Sequence, residues 1–165
     1  RSKYIERFKD EDNKEKEECF FCEAVRSPER DTELYVVRRN PDCFVMLNKF
    51  PYNNGHCLIA PYRHVSDMDD LTDDEMTDIM FTLRQVKNGL GEIYGPHGFN
   101  IGCNLGRTAG AGVPGHLHFH IVPRWDGDAS YMTVFAELNV VSQSLNDTHK
   151  LLSEKLAELY PQESD

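Results

Sequence analysis

Three histidines alternate with apolar residues in the stretch that spans residues 116–122, His-Leu-His-Phe-His-Ile-Val. Alternation with a period of two predicts a β-strand, and successive side chains of a strand point to opposite faces. His116, His118 and His120 would therefore share one face, while the apolar residues between them would enter the core. A row of imidazoles adds little to packing, so the pattern predicts phosphate chemistry, metal binding or both.

Phosphate chemistry is the first interpretation of the three histidines. A neutral imidazole attacks phosphorus readily, and the resulting phosphoramidate is labile enough to turn over. His118 is the central residue and the candidate nucleophile. A glycine-rich loop over residues 105–115 precedes it, and its backbone N–H groups at Gly110, Ala111 and Gly112 could approach a phosphate closely. Arg107 or Arg124 would stabilise charge on the phosphoryl oxygens.

Metal binding is the alternative for the same row. Two histidines spaced by one residue on a strand also serve metal enzymes, but a catalytic metal would need a carboxylate, and Asp126 lies beyond Pro123. Cys19 and Cys22 form a single C-x-x-C pair, which is half a zinc site, a redox pair or a coincidence. No βαβ pattern surrounds the pair, and zinc would need two ligands from elsewhere.

The elements that must position these residues follow from periodicity and turn residues. Residues 33–38, 43–48 and 56–61 are predicted strands with short links, which indicates an antiparallel meander, and residues 98–104 are a fourth strand. A capping box at Thr72 and Glu75 begins a helix predicted over residues 73–94, which Gly95 ends. Residues 134–141 are ambiguous and could be a short strand. A second helix is predicted over residues 147–160.

Composition sets limits on class and location. The chain has 165 residues, enough for one domain with a core; we expect a charged arm over residues 1–18 and one domain over residues 19–165. The net charge of −10 argues against nucleic-acid or anionic-membrane binding. No apolar run is long enough to span a membrane, and the charged first residues do not resemble a signal peptide, so a cytoplasmic location is expected. Five cysteines do not indicate a disulfide framework.

The histidine row also resembles a known signature. Residues 116–122 match the His-φ-His-φ-His-φ-φ pattern of the histidine triad superfamily, and the resemblance extends back through Asn48, the Gly55-His56 pair, residues 61–64 and Asn104. It covers about residues 19–125. Residues 48–56, the Pro-Arg-Trp ending at residues 123–125 and the helical tail are similar to the branch of diadenosine tetraphosphate phosphorylases and related adenylyltransferases.

The resemblance implies an α+β fold with an antiparallel sheet of about five strands, a main helix before the fourth strand and a C-terminal helix. It implies a homodimer and an adenine nucleotide or dinucleoside polyphosphate as substrate. His118 would be the nucleophile on the α-phosphate, supported by His116 and His120. The residues that would contact the nucleotide are His56, Asn48 at the ribose, Asn104 near the scissile phosphate, and Trp125, for which stacking on the substrate and core packing are equal alternatives.

Two further expectations come from the resemblance. Zinc-bearing members and related uridylyltransferases pair a C-x-x-C with a distal histidine and the first triad histidine, which here implies a structural zinc held by Cys19, Cys22, His64 and His116. Many members carry a hydroxyl residue shortly before the triad, and residues 111–115 here lack one. The favoured hypothesis is therefore a nucleotidyl hydrolase or transferase, and the alternative is a nucleotide-binding sensor with weak or no catalysis.

Overall fold

The computed structural model describes residues 19–128 and 143–162. Among these residues, five strands form one sheet in the order β1-β2-β3-β5-β4, and every neighbouring pair is antiparallel. The strands are β1 Val36–Arg39, β2 Cys43–Leu47, β3 Cys57–Pro61, β4 Gly98–Cys103 and β5 Phe119–Arg124. The helices are α1 Phe20–Arg26, α2 Asp31–Leu34, α3 Asp73–Tyr94 and α4 Leu145–Leu159. The α+β class and the antiparallel sheet agree with the expectation from the sequence.

The topology brings β5 to the interior of the sheet. The strands β1, β2 and β3 form the expected meander, and the chain then crosses through α3 to β4. The last strand, β5, inserts between β3 and β4, with Phe119 opposite Ile59 on one side and His120 opposite Gly102 on the other. His120 therefore lies on a strand that has neighbours on both sides, and His116 and His118 lie just before it.

The two faces of the sheet carry different cores. Leu117, Phe119 and Ile121 pack with the apolar side chains of α3 and α4 on one face, as the alternation predicts. On the other face, α1 covers β2 and β3, where Phe21 packs with Phe44 and related residues. The histidines lie on the α1 face. None of the described helices is long and apolar enough to cross a membrane.

The helix α3 has the predicted bounds. The Thr72 hydroxyl accepts the backbone N–H of Glu75, and the Glu75 carboxylate accepts that of Thr72, which completes the capping box. Gly95 ends the helix in the left-handed conformation, with φ of 53°. The C-terminal helix α4 begins two residues before its predicted start, because the Ser144 hydroxyl caps it by accepting the backbone N–H of Asp147.

The first predicted strand, residues 33–38, is wrong in its first half. Residues 31–34 form the one-turn helix α2, and Tyr35 follows in the left-handed conformation with φ of 59°. Arg30 pairs with Glu33 at 2.6 Å, a spacing of three residues that a helical turn brings together. Two other predictions, the arm over residues 1–18 and the short strand over residues 134–141, lie outside the described residues.

The histidine strand is shorter than predicted, because β5 begins only at Phe119. The end of β3 explains the difference. The Pro61 carbonyl oxygen lies 2.9 Å from Nε2 of His116, so an imidazole takes the place of a backbone donor there. The backbone N–H of Leu117 donates to Val65 instead, at 2.6 Å. His116 and His118 therefore precede the ladder, although the side chains still alternate.

Candidate active site and metal centre

His118 is buried, and its ring contacts a backbone carbonyl oxygen. Its Nδ1 lies 2.8 Å from the carbonyl oxygen of His116. A carbonyl oxygen only accepts, so Nδ1 carries the proton and Nε2 carries the lone pair. Burial lowers the pKa of His118, which the hydrogen bond to His116 opposes in part. The imidazole is therefore neutral near pH 7 and has a defined unprotonated nitrogen.

His120 belongs to a chain of hydrogen bonds that fixes its tautomer. The backbone N–H of Tyr52 donates to Nδ1 of His56 at 3.2 Å, so the proton of neutral His56 is on Nε2. That Nε2 lies 2.9 Å from Nδ1 of His120, which must accept. The remaining nitrogen of His120, Nε2, therefore carries a proton. Burial, with the charges of neighbouring histidines, lowers the pKa of His56 to about 3 and that of His120 to about 4, so both are neutral.

The rings of this group are in contact. The ring centroids of His118 and His120 are 5.0 Å apart, and those of His56 and His120 are 5.2 Å apart. Phe21 of α1 also contacts the group, with its ring centroid 4.9 Å from that of His118 and 5.0 Å from that of His116. Sequence reasoning missed Phe21, whose signal was its position inside the C-x-x-C pair. Its ring packs against that of the candidate nucleophile, His118.

The glycine-rich loop is connected to the histidines through Asn104. The Asn104 side chain lines a cavity together with His120 and donates to the carbonyl oxygen of Gly110 at 3.4 Å. Gly106 and Gly110 both have positive φ, 79° and 89°, which non-glycine residues rarely adopt. The loop that includes Ala111 and Gly112 thus leaves β4 beside the histidines and returns to His116.

Asn48 lies at the same end of the sheet. Its side-chain oxygen accepts the backbone N–H of Phe50 at 2.9 Å, and its nitrogen lies 3.4 Å from Nδ1 of His56. Trp125 does not come to this group. It follows His120 by five residues, about 16 Å at the rise of a strand, and its ring meets the Tyr94 ring edge to face. This placement favours packing over substrate stacking for Trp125.

The four expected metal ligands come together. Cys19, Cys22, His64 and His116 each offer one donor atom, and these atoms lie within 4.8 Å of one another. The Sγ of Cys22 is 3.2 Å from Nδ1 of His64 and 3.6 Å from Nδ1 of His116, and the Sγ of Cys19 is 3.5 Å from the latter. Zinc bonds of about 2.3 Å to sulfur and 2.0–2.1 Å to nitrogen, at tetrahedral angles, set this separation at about 3.5 Å. The donor set therefore fits zinc.

The outer contacts of His116 also suit a metal ligand. Its Nε2 donates to the Pro61 carbonyl oxygen, which leaves the lone pair on Nδ1, the nitrogen that faces both sulfurs. Burial lowers the pKa of His116 to about 4, so the ring is neutral, as coordination requires. This side chain faces the cysteines, while its backbone carbonyl holds His118.

Fold and site together define a histidine triad architecture, and comparison with known proteins agrees. A family model described as the HIT domain matches residues 29–127, more than half of the chain. The chain therefore belongs to the HIT family.

Relatives within the family are similar to this chain to different degrees. An AP-4-A phosphorylase of Mycobacterium tuberculosis is 42% identical over 127 residues, 77% of this chain and 65% of that protein. The asymmetrical bis(5'-nucleosyl)-tetraphosphatase of Schizosaccharomyces pombe is 38% identical over 84 residues, 51% of this chain and 46% of that protein. A Zn-bound histidine triad family protein from Mycobacterium smegmatis has the same fold, with a TM-score of 0.71 at 23% identity, over 87% of this chain and 96% of that one. The chain thus spans less than two thirds of the length of the phosphorylase and less than half of that of the tetraphosphatase.

Proposed function

We propose that this protein is a nucleotidyl hydrolase or transferase that cleaves adenine nucleotides or dinucleoside polyphosphates at the α-phosphate. The observation that carries the proposal is the state of His118, a neutral, buried imidazole whose Nδ1–H is engaged by a carbonyl and whose Nε2 lone pair is unprotonated. A nucleophile that must attack phosphorus needs that nitrogen in that state.

The reaction balances as two displacements. Nε2 of His118 forms a bond to the α-phosphorus, and the bond from that phosphorus to the bridging oxygen breaks, which releases the polyphosphate part. The Nε2–H of His120 donates to a phosphoryl or leaving oxygen, because its tautomer is fixed through His56. Water or inorganic phosphate then attacks the nucleotidyl-His118 and restores the free imidazole. Backbone N–H groups at Gly110, Ala111 and Gly112 support the charge of the phosphoryl oxygens.

The names of the relatives support diadenosine tetraphosphate as the first substrate to try, since one is an AP-4-A phosphorylase and another a bis(5'-nucleosyl)-tetraphosphatase. Those names differ in the acceptor, which decides the products. Phosphorolysis of diadenosine tetraphosphate gives ADP and ATP, whereas asymmetric hydrolysis gives AMP and ATP.

The test is a product assay on diadenosine tetraphosphate with and without inorganic phosphate. ADP that forms only with phosphate identifies a phosphorylase, and AMP that forms in both identifies a hydrolase. The His118→Asn variant should lose turnover and keep nucleotide binding, and full activity of that variant would refute the mechanism. Absence of product above background would support the second candidate, a nucleotide-binding sensor, which the missing hydroxyl at residues 111–115 motivates.

We further propose a structural zinc at Cys19, Cys22, His64 and His116, for which the donor atoms and their separations are the support. Two thiolates and two imidazoles complete a closed tetrahedral shell, so the metal would supply folding energy and leave no position for substrate. It would join the start of α1 to the residues before β5. His116 would then be unavailable for proton transfer, and its catalytic contribution would be the carbonyl that orients His118.

A homodimer is also proposed, built on the outer edge of β4. This strand is at the end of the sheet, and Ile101 on it is 51% exposed. A second copy could continue the sheet there by pairing β4 with β4 around a two-fold axis. Sedimentation of the purified protein at twice the monomer mass would support this proposal, and a monomer at micromolar concentration would refute it.

The net charge of −10 argues against a nucleic-acid or membrane partner. We also propose a cytoplasmic location.

A further inference from the structure

A cavity of about 410 Å³ opens beside His120. Its floor is formed by β4 and β5, and the loop that carries Tyr52 and Asn53 forms a wall. Asn48, the expected ribose contact, follows β2 and so lies on the other side of β3. The histidines are therefore located between the Asn48 side of the sheet and this cavity. The volume falls within the roughly 300–1,000 Å³ of small-ligand sites.

The floor of the cavity is open because it contains a glycine next to His120. Gly102 is the register partner of His120 on β4, and register partners project to the same face. A Cβ built on Gly102 would meet no atom within 4 Å. Gly102 does not have a positive φ, so its backbone conformation does not require glycine. The missing side chain provides space beside the proton donor.

The wall of the cavity carries an exposed aromatic ring. The Tyr52 side chain is 58% exposed, and its ring centroid lies 4.7 Å from that of His56. An aromatic face of this kind stacks nucleobases of any sequence. Because the ring also contacts the histidine chain, a base stacked on Tyr52 would lie close to the reacting phosphate.

The far end of the cavity carries no net charge. Arg124 donates to both carboxylate oxygens of Asp128 at 2.8 Å and to Oδ1 of Asn100 at 2.6 Å. The Arg124 guanidinium holds the pKa of Asp128 well below its usual range, so the pair is fully ionised and mutually compensated. Polar atoms without net charge suit a ribose or a base better than a phosphate. Phosphates would remain at the end of the cavity with His118 and the glycine-rich loop.

We infer that this cavity holds the second nucleoside of a dinucleoside polyphosphate, the one on the leaving side, with its base against Tyr52 and beside Gly102. The inference rests on the proposed function. It divides the substrate at His118: the transferred nucleotide lies on the Asn48 side, and the leaving nucleotide lies over β4 and β5. A dinucleoside substrate would then gain binding from both halves, whereas a mononucleotide would use one.

The experiment fills the cavity with the Gly102→Val variant, which adds a side chain suited to a strand. Gly98→Val is the matched control, since Gly98 lies on the same strand and face, has no atom within 4 Å of its Cβ position, and is about 13 Å away along the strand. Calorimetry measures the Kd of AMP and of a diadenosine tetraphosphate analogue whose methylene bridges at the α-phosphates prevent cleavage. We expect Gly102→Val to weaken the analogue about tenfold and AMP by less than twofold, and Gly98→Val to change neither.

Three results would overturn the inference, and they are distinguishable. Equal weakening of AMP and the analogue would mean that the cavity takes the transferred nucleoside. Unchanged affinity for both would mean that nothing enters it. Failure of the unsubstituted protein to bind either ligand would reject the proposed function together with the subsite.

Discussion

Removal of one thiolate, by Cys22→Ala, tests the metal centre quantitatively. Structural zinc contributes about 10–16 kcal/mol of binding free energy in peptide sites. If the four ligands contribute equally, the loss of one costs about 3 kcal/mol. The lost packing of a buried thiol adds about 1 kcal/mol. A change of 1 kcal/mol shifts Tm by about 2–4 °C in a chain of this length, so we expect Tm to fall by about 8–16 °C. Cys57→Ala is the matched control, because Cys57 is fully buried outside the cluster, and its Tm should fall by only about 2–4 °C.

The assay combines thermal unfolding with metal analysis. We expect one zinc per chain in the unsubstituted protein and in Cys57→Ala, and far less in Cys22→Ala. The reasoning would be refuted if Cys22→Ala lost no more stability than Cys57→Ala, or if it kept a full equivalent of zinc. The first result would mean that the four donor atoms add no metal-linked stability, and the second that zinc is held without the Cys22 thiolate.

Three further predictions concern the glycines and histidines. Gly55→Ala should destabilise the protein by at least about 1 kcal/mol, because φ is +78° and a Cβ would lie 2.7 Å from Leu90. Gly91→Ala, in open space within α3, should stabilise it by about 0.5–1 kcal/mol. Chemical denaturation measures the free energy of unfolding of both variants, and equal free energies would contradict this prediction. The acid limb of the pH profile of kcat/KM should have its midpoint below pH 6.5, because burial lowers the pKa of His118 from 6.5 and activity is lost only as the pH falls through the lowered pKa. A midpoint at or above pH 6.5 would contradict the assignment of neutral His118 as the nucleophile. His56→Ala should lower kcat about 100-fold, since His120 loses the donor that fixes its tautomer, and His56→Gln, which keeps an N–H donor, should recover part of it; unchanged kcat in His56→Ala would reject the hydrogen-bond chain.

The sequence allowed much of the fold to be predicted, because its strongest signals are local. The capping box and the helical spacing predicted both ends of α3, and the alternation at residues 117–121 predicted which side chains enter the core. The first half of the strand predicted over residues 33–38 was wrong, because the composition of residues 33 and 34 does not distinguish a strand from a helical turn. The Arg30–Glu33 contact and the left-handed conformation of Tyr35 accompany the helix that forms there.

The sequence indicated candidate residues for the site but not their tautomers. The resemblance suggested which residues would assemble, and the structure brings the four metal-ligand candidates together. The sequence could not indicate that a backbone N–H of Tyr52 would set the protons of His56 and His120, since such contacts depend on loop geometry. It also could not indicate that the ring of Trp125 would meet that of Tyr94, because this contact depends on the tertiary packing.

The central claim is a covalent nucleotidyl-His118 intermediate, and the stereochemistry at phosphorus tests it directly. The measurement uses a diadenosine tetraphosphate with a phosphorothioate of known configuration at the α-phosphorus. It determines the configuration of the ADP phosphorothioate formed with inorganic phosphate, or of the AMP phosphorothioate formed in oxygen-isotope-labelled water. Two in-line displacements, first by His118 and then by water or phosphate, predict retention. Inversion would require a single displacement in which the acceptor attacks the substrate directly, and would contradict the role assigned to His118.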